Sequence, residues 1–285
     1  MKITTPNKDT STLHETSLVL GAKGKTGQRI VRLLEARGHS VRIGSRSASP
    51  GFDWHDQSTW KPVVEGVTAI YIAYYPDLAS PGAYEHIGAL IELAREHKVR
   101  KLVLLSGRGE EEAQRCEKLV LDSGIPSTVV RAAWFNQNFS ENFMRDMVLE
   151  GTIALPVHGV REPLVDADDI AEVAVAALTE DGHDGEIYEV TGPELLSFDQ
   201  VAAILSEANG RDIRFQPVSH DHYMAGMKAA QLPAELRDLI DYLFREVLDG
   251  RNELLADGVE RALSRPPRSF ADYARKAAAA GCWNE

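Results

Sequence analysis

Three glycines spaced three residues apart, Gly21, Gly24 and Gly27, lie between a short apolar run at residues 17–21 and a stretch whose apolar residues recur at helical spacing. This order predicts a strand, a tight turn and a helix. In such a turn the first glycine permits the bend, the second lets the backbone approach a pyrophosphate, and the third lets the helix pack on the strand. The loop therefore predicts an α/β fold with a phosphate-binding turn.

The strand and helix pattern of this first unit recurs along the first half of the chain. Apolar runs that predict strands lie at residues 40–44, 67–73, 101–106 and 127–131, and helical patterns lie at residues 83–97 and 110–122. Strands this apolar must be buried on both faces, which is typical of a parallel sheet covered by helices. The predicted fold class is α/β, a Rossmann fold with a doubly wound parallel sheet.

The pattern becomes less regular after Gly151, where two prolines fall within residues 152–165. Beyond it we predict a strand at residues 186–190, a helix at 198–208, a strand near 212–216 and helical segments to residue 280. We divide the chain into a disordered tail at residues 1–16, a dinucleotide-binding Rossmann domain at 17–155 and a C-terminal lobe at 156–285. This lobe is smaller, mainly helical and interleaved with the Rossmann core, and it is the expected place of substrate selection.

The position of the glycine loop makes it a dinucleotide signal, because it follows a strand and opens a helix. The helix start supplies backbone N–H donors and a positive dipole end. The loop residues that we expect to bind the cofactor are Gly21, Lys23, Gly24, Lys25, Thr26 and Gly27. The same segment imitates the end of a triphosphate-binding loop, but that loop needs a glycine where this chain has Val19, which argues against an ATPase.

The second predicted strand is followed by Ser45 and Arg46, where a site that prefers NAD usually has an acidic residue. Arg46, helped by Ser45 and Lys25, can bind the extra phosphate of NADP through charge-assisted hydrogen bonds. A solvated surface arginine is the alternative. The predicted cofactor is NADP(H).

Charge and composition limit the partners. Lys and Arg number 31 and Asp and Glu number 43, so the net charge is −12 and direct nucleic-acid binding is not expected. The sequence has neither an apolar run long enough to cross a membrane nor the apolar core of a signal peptide. Two cysteines fit a reducing compartment. We expect a cytoplasmic protein, monomeric or homodimeric, that does not bind membranes.

Besides the glycine loop, four segments of the chain carry a resemblance to a known family. They are Phe52-Asp53-Trp54 before Trp60, Leu105-Ser106-Gly107, and the runs RAAWFNQNF at residues 131–139 and TGPELLSF at residues 191–198. Over most of its length the chain thus resembles the NmrA-like branch of the short-chain dehydrogenase/reductase superfamily. Within that branch it is similar to bacterial NAD(P)H-binding members and to fungal ergot-alkaloid (festuclavine and agroclavine) dehydrogenases. The resemblance implies an NAD(P)H-dependent oxidoreductase acting on a small molecule.

The resemblance also implies where this chain would contact the cofactor. The matching residues are Asp53 and Trp54 by the adenine, Ala73, Tyr74 and Tyr75 along the cofactor, Ser106 and Gly107 by the nicotinamide ribose, and Trp134, Phe135 and Asn136 facing the nicotinamide. Ordinary core packing is the alternative for the aromatic residues, above all Tyr74 and Trp134.

The proton donor of the usual short-chain dehydrogenase is missing. Those enzymes use a tyrosine with a lysine four residues later, and no tyrosine here has a lysine at that spacing. Where the resemblance places the pair, the chain has Gln114 and Lys118, and Lys118 is expected to be a solvated helix charge.

Two interpretations remain after this loss. The first is an enzyme that transfers hydride to an already electrophilic acceptor, such as an iminium ion, a quinone or another conjugated acceptor. The second is an NADP(H)-sensing regulatory protein without catalysis that acts through a protein partner.

Some charged clusters have simpler explanations. The His-Asp-His run at residues 220–222 lacks further ligands, so no metal is expected. The aspartates at positions 166, 168 and 169 are expected to cap the helix that follows. Arg131 could bind an acidic substrate or form an ion pair with one of these aspartates.

Overall fold

The computed structural model describes residues 15–141 and 144–284. Its strands are β1 (Thr16–Leu20), β2 (Ser40–Gly44), β3 (Ala69–Ile72), β4 (Lys101–Gly107), β5 (Ser127–Ala132), β6 (Thr152–Leu155), β7 (Arg161–Glu162), β8 (Ile187–Val190), β9 (Leu196–Ser197) and β10 (Arg214–Pro217). Its α-helices are α1 (Lys25–Ala36), α2 (Trp60–Val64), α3 (Ala83–Glu96), α4 (Glu111–Leu121), α5 (Asn138–Glu141), α6 (Met144–Glu150), α7 (Ala167–Thr179), α8 (Phe198–Asn209), α9 (His220–Ala229), α10 (Ala234–Tyr242), α11 (Gly258–Leu263) and α12 (Phe270–Ala279).

The central sheet has six parallel strands in the order β2-β1-β3-β4-β5-β8. The chain runs from β1 through α1 to β2 on one side and then crosses to β3 on the other side. The carboxyl ends of β1 and β3 therefore flank the switch point, where ligands bind in open α/β sheets. The predicted doubly wound parallel sheet is confirmed, and each predicted strand of this sheet lies within two residues of its observed bounds.

Helices cover both faces of this sheet because successive strand residues point to opposite sides. Leu18 and Leu20 of β1 pack in a core with α2, α3 and α4, whereas Val19 packs in a second core with α1 and α7. Both faces of the sheet are thus buried from solvent, which explains why the strands are nearly continuous apolar runs.

The C-terminal half surrounds a third apolar core built largely from α8, α12 and their neighbours. Residues 152–165, which the sequence pattern leaves without an element, form β6 and β7; β6 pairs with β10 and β7 with β9. Strand β8 also comes from this half and completes the central sheet. The division at residue 155 stays a prediction, although the two halves share one sheet.

The amino-terminal tail lies mostly outside the described residues. Residues 1–14 belong to that part, and β1 already begins at Thr16, the last residue of the predicted tail. Within residues 15–141 and 144–284, no helix combines the length and the hydropathy that crossing a membrane requires.

Candidate active site

The glycine loop is a tight turn that only glycine can form at two positions. Gly21 has a φ of +70°, and its N–H donates to the Gly44 carbonyl at the end of β2 (3.1 Å). A Cβ at Gly27 would lie 2.7 Å from the Cα of Ala22, so a side chain there would push α1 off the turn. A Cβ at Gly21 would come 3.0 Å from the Cβ of Ala73, which places the loop against the end of β3.

Helix α1 begins without a side-chain cap. Gly24 is its N-cap, no side chain of residues 15–141 or 144–284 accepts from the first-turn N–H groups, and the first turn contains no acidic residue. These amides remain available to an anion. The Thr26 hydroxyl is already engaged, since the buried Tyr71 hydroxyl donates to it (2.9 Å). Because the Thr26 hydroxyl accepts this bond and keeps its own proton, Thr26 has both its backbone N–H and its O–H as donors.

Two lysines stand beside this helix start. Burial lowers the pKa of Lys25, against the opposing effect of the nearby Glu141 carboxylate. The Lys23 ammonium donates to the Ser47 hydroxyl and so links the loop to the segment after β2. A depression of about 760 Å³ opens here, lined by Lys23, Gly24, Lys25, Gln28, Arg29, Arg32 and Glu141.

The end of β2 holds a free cation next to an unsatisfied hydroxyl. Arg46 is exposed, and its guanidinium has no hydrogen-bond or ion-pair partner among the described residues. The Ser45 hydroxyl oxygen is buried and has none within the same part of the chain. An anion that carries several acceptor oxygens could satisfy both groups at once.

Trp54 lies in an aromatic cluster rather than in an open groove. Its side chain packs 4.9 Å from the Phe52 ring and 4.8 Å from the Tyr74 ring, measured between ring centroids, and it is only 6% exposed. The Asp53 carboxylate accepts from the His55 N–H (3.0 Å) and so shapes the local turn. Both residues thus shape the segment after β2 by packing and turn formation, and their contact with an adenine stays a prediction.

The segment after β3 places its two tyrosines differently. The buried Tyr74 is hydrogen-bonded through its hydroxyl to Nδ1 of His86 (2.7 Å). Tyr75 is 69% exposed at the same edge of the sheet. The hydroxyl of Tyr74 is thus engaged within the protein, whereas the Tyr75 ring is open to a ligand.

At the end of β4, Ser106 is also engaged. Its hydroxyl donates to Glu117 (2.6 Å), and the same carboxylate is paired with Arg131. Arg131 also pairs with Glu189 (2.7 Å). Of the two alternatives for Arg131, the ion pair with an aspartate of the 166–169 group is wrong, because Glu117 and Glu189 lie next to β5 and hold the guanidinium instead.

Sequence reasoning missed a buried carboxyl group at Glu110, the N-cap of α4. The side chain is 6% exposed, and it folds back so closely that a Cβ at Gly107 would lie 2.5 Å from its Cδ. Burial raises the pKa of this carboxyl far above its usual range, and the nearby Asp77 and Glu117 add to the effect. In the sequence it is the first of three consecutive glutamates, which is typical of a solvated helix start. The one signal of its burial is the glycine three residues earlier, which leaves room for the carboxyl group.

The end of β5 reaches the C-terminal lobe. The Trp134 ring packs against Phe244, with centroids 5.6 Å apart, and Phe135 pairs with Val165. Asn136 is completely buried, yet its side-chain nitrogen and oxygen both lack a partner among the described residues. An unsatisfied buried amide is costly. It fits a ligand group that both donates and accepts, such as a carboxamide.

The remaining charged clusters are structural. Asp166 caps α7 by accepting from the Asp168 N–H (2.9 Å), as predicted. Lys118 is exposed, as predicted, and it pairs with Asp122 (2.6 Å), which was not predicted. His220 is hydrogen-bonded to Asp241 (2.7 Å), and the described residues contain no cluster of side chains that could hold a metal.

The glycine loop, Ser45 and Arg46, Tyr74 and Tyr75, Glu110, and Trp134 to Asn136 follow the carboxyl ends of β1, β2, β3, β4 and β5, so they meet along one edge of the sheet. The NmrA-like family model matches residues 111–261. Festuclavine synthase II of Penicillium roqueforti is 32% identical over 283 residues, which cover 91% of this chain and 97% of that protein.

Solved structures of low sequence identity share the fold. Triphenylmethane reductase of Citrobacter sp., crystallised with NADP(H), superposes with a TM-score of 0.74 at 19% identity and covers 93% of this chain and 99% of that one. Nmra, a negative transcriptional regulator in complex with NAD, superposes with a TM-score of 0.69 at 18% identity and covers 94% and 97% of the two chains. The family match and the fungal relative together show that this chain belongs to the NmrA-like family.

Proposed function

We propose that this chain is an NADPH-dependent oxidoreductase that transfers a hydride to an already electrophilic small-molecule acceptor. The observation that carries the proposal is the unpartnered Arg46 guanidinium beside the buried, unpartnered Ser45 hydroxyl. These groups lie next to a helix start whose first-turn amides have no cap. A dinucleotide with an extra phosphate matches this set of donors.

The residues present fit this cofactor. The first-turn amides of α1 would bind the pyrophosphate, Arg46 and Ser45 would bind the additional phosphate, and the Asn136 amide would hold the carboxamide of the nicotinamide. When bound, NADPH supplies the hydride. The protein's part is to position the acceptor and exclude water, and Trp134 packed on Phe244 provides an apolar cover at this edge of the sheet.

An electrophilic acceptor follows from the missing tyrosine and lysine pair. Gln114 cannot act as an acid, and the Lys118 ammonium is exposed and paired with Asp122. Iminium ions, quinones and other conjugated acceptors accept a hydride at carbon without that pair. The names of the relatives, a festuclavine synthase and a triphenylmethane reductase, support a reductase with a small-molecule acceptor.

The second candidate is an NADP(H) sensor that acts through a protein partner. The missing proton donor favours it, as does the fold shared with a transcriptional regulator that binds NAD. A sensor requires that the reduced and oxidised cofactors bind its conformations with different affinities.

The two candidates separate in one experiment, titration of the protein with NADPH, NADP, NADH and NAD followed by NADPH oxidation with a panel of quinones and iminium salts. We expect NADPH binding and turnover with at least one acceptor class. Binding that differs strongly between NADPH and NADP without any turnover would favour the sensor. Absence of binding to all four cofactors would overturn both candidates.

A further inference from the structure

We propose that Glu110 is the proton donor of the reaction and that Asp77 resupplies its proton, so that the acceptor is a neutral conjugated carbonyl compound. This inference rests on the proposed oxidoreductase function. It names the residue that donates the proton in place of the missing tyrosine. It also separates acceptors that need a proton from iminium ions, which do not.

The first support is the position of the carboxyl group. Glu110 lies against Gly107 at the end of β4, and the sheet register places Gly107 beside Ala132, two residues before Trp134. The lobe segment that carries Phe244 over Trp134 also carries Tyr242, whose pKa is raised by burial and by the nearby Glu110 and Asp77 carboxyl groups. One lobe segment therefore lies next to both Trp134 and Glu110, at the same edge of the sheet.

The second support is the state of the carboxyl group. Oε2 of Glu110 is buried and has no donor among the described residues. The Asp77 side chain, in the segment between β3 and α3, is within hydrogen-bonding reach of it. Two carboxyl groups can share a hydrogen bond only when one of them holds a proton. The buried Glu110 is the group that keeps it, because burial raises the pKa of Glu110 to about 9.

The third support is a route for the proton. Asp77 is only partly buried and contacts solvent, whereas Glu110 does not. The other titratable groups that face the pair are Glu117 on α4 and Tyr242 on α10, with Arg251 beside Tyr242. Glu117 is already held by Ser106 and Arg131, so Asp77 is the neighbouring carboxyl group that lies between Glu110 and solvent.

The step balances in atoms and electrons. When bound, NADPH would supply a hydride, with its two electrons, to the electrophilic carbon of the acceptor and would itself become oxidised. The proton on Glu110 moves to the carbonyl oxygen, where the new O–H bond forms as the electron pair of the carbonyl π bond shifts onto oxygen. Glu110, left as a carboxylate, takes its next proton from solvent by way of Asp77.

The test compares wild type with Glu110→Gln, and uses Glu111→Gln as the control because that neighbouring glutamate is exposed. The acceptors are menadione and cyclohexenone, which are neutral, and an N-methyl dihydroisoquinolinium salt, which is an iminium ion. We expect Glu110→Gln to lower kcat with the neutral acceptors by about 100-fold or more. The control and the NADPH Kd of both variants should stay within about threefold of wild type.

The pH profile distinguishes an acid from a structural role. With a neutral acceptor, kcat/KM of wild type should fall as the pH rises through the pKa of Glu110, because the active form is protonated. This alkaline limb should be absent in Glu110→Gln. In Asp77→Asn it should move to lower pH, because the neighbour that helps to raise the pKa of Glu110 is gone.

An infrared measurement adds a readout without turnover. At neutral pH the buried Glu162 should keep a protonated-carboxyl C=O band in both proteins, so the readout is the difference spectrum, wild type minus Glu110→Gln, which should contain one further such band. The inference is overturned if Glu110→Gln reduces neutral acceptors at the wild-type rate with an unchanged limb, or if wild type reduces only the iminium salt. Wild type that binds no NADPH, or reduces neither class, would instead contradict the proposed function.

Discussion

The third glycine of the loop shows how one missing side chain determines the geometry of the site. Gly27 is buried in the first turns of α1, where a Cβ would overlap the Gly21 carbonyl and lie 2.7 Å from the Cα of Ala22. Gly88 in α3 is also a helical glycine, but a Cβ there would meet nothing within 4 Å. The two glycines make a matched pair for substitution by alanine.

We expect Gly27→Ala to destabilise the protein by about 1–3 kcal/mol, because the new methyl group must displace α1 from the turn. The same displacement should weaken NADPH binding. Gly88→Ala should instead stabilise by about 0.5–1 kcal/mol, since alanine is the better helix residue. Chemical denaturation and cofactor titration of both variants measure these effects. Equal stability and equal NADPH affinity of Gly27→Ala and wild type would contradict this role of the loop.

At the scale of single residues, the sequence predicted positions better than it predicted hydrogen bonds. The glycines and Arg46 could be proposed for the site because their types and places after strands indicate the chemistry, and their binding of the cofactor stays a prediction. The hydroxyls of Thr26, Ser106 and Tyr74 are engaged with side chains 45, 11 and 12 residues away, which no local pattern reveals. Their contacts with the cofactor stay predictions.

Among the elements, the long strands could be predicted and the shortest could not. The strands of the central sheet are apolar runs buried on both faces, whereas β7 and β9 have two residues each and no periodicity to detect. Because β7 could not be predicted, the burial of its residue Glu162 could not be predicted either. Glu162 is 1% exposed, and neither carboxyl oxygen has a partner among the residues that the structure describes.

Glu162 should make stability depend on pH. Burial raises its pKa to about 8, against the effect of Arg108 and with contributions from Glu253 and Asp249. The folded state therefore binds this proton more tightly than the unfolded state. The stability that it contributes is full at low pH and is lost as the pH rises towards 8, on the order of a few kcal/mol.

Glu162→Gln removes this titration. We expect urea denaturation to show that wild type loses more stability than the variant between about pH 4.5 and pH 8. Glu194→Gln, an exposed change close to β9, should keep the wild-type pH dependence. Parallel pH dependences of wild type and Glu162→Gln would show that Glu162 is ionised or solvated in the folded protein.

In the molecule as a whole, charge is distributed unevenly. The net charge is −12, yet Lys23, Lys25 and Arg46 all lie around the glycine loop and the end of β2. A local excess of cations in an acidic protein concentrates anionic ligands at one edge. These cations follow the carboxyl ends of β1 and β2, which parallel pairing brings to one edge. The sequence could not predict which lobe residues cover the edge, since the lobe packs by contacts between distant segments.

Arg46 provides the most direct test of the account. Its charge-matched control is Arg37, an exposed residue just beyond the other end of α1 that pairs with Glu180 (3.4 Å). The measurement is calorimetric titration of wild type, Arg46→Ala and Arg37→Ala with NADPH and NADH. We expect Arg46→Ala to weaken NADPH binding by about 10- to 100-fold, the loss of charge-assisted hydrogen bonds to one phosphate, with NADH affinity unchanged. Arg37→Ala should change neither. Equal losses for the two cofactors in Arg46→Ala, or no loss at all, would contradict the assignment of this site to NADPH.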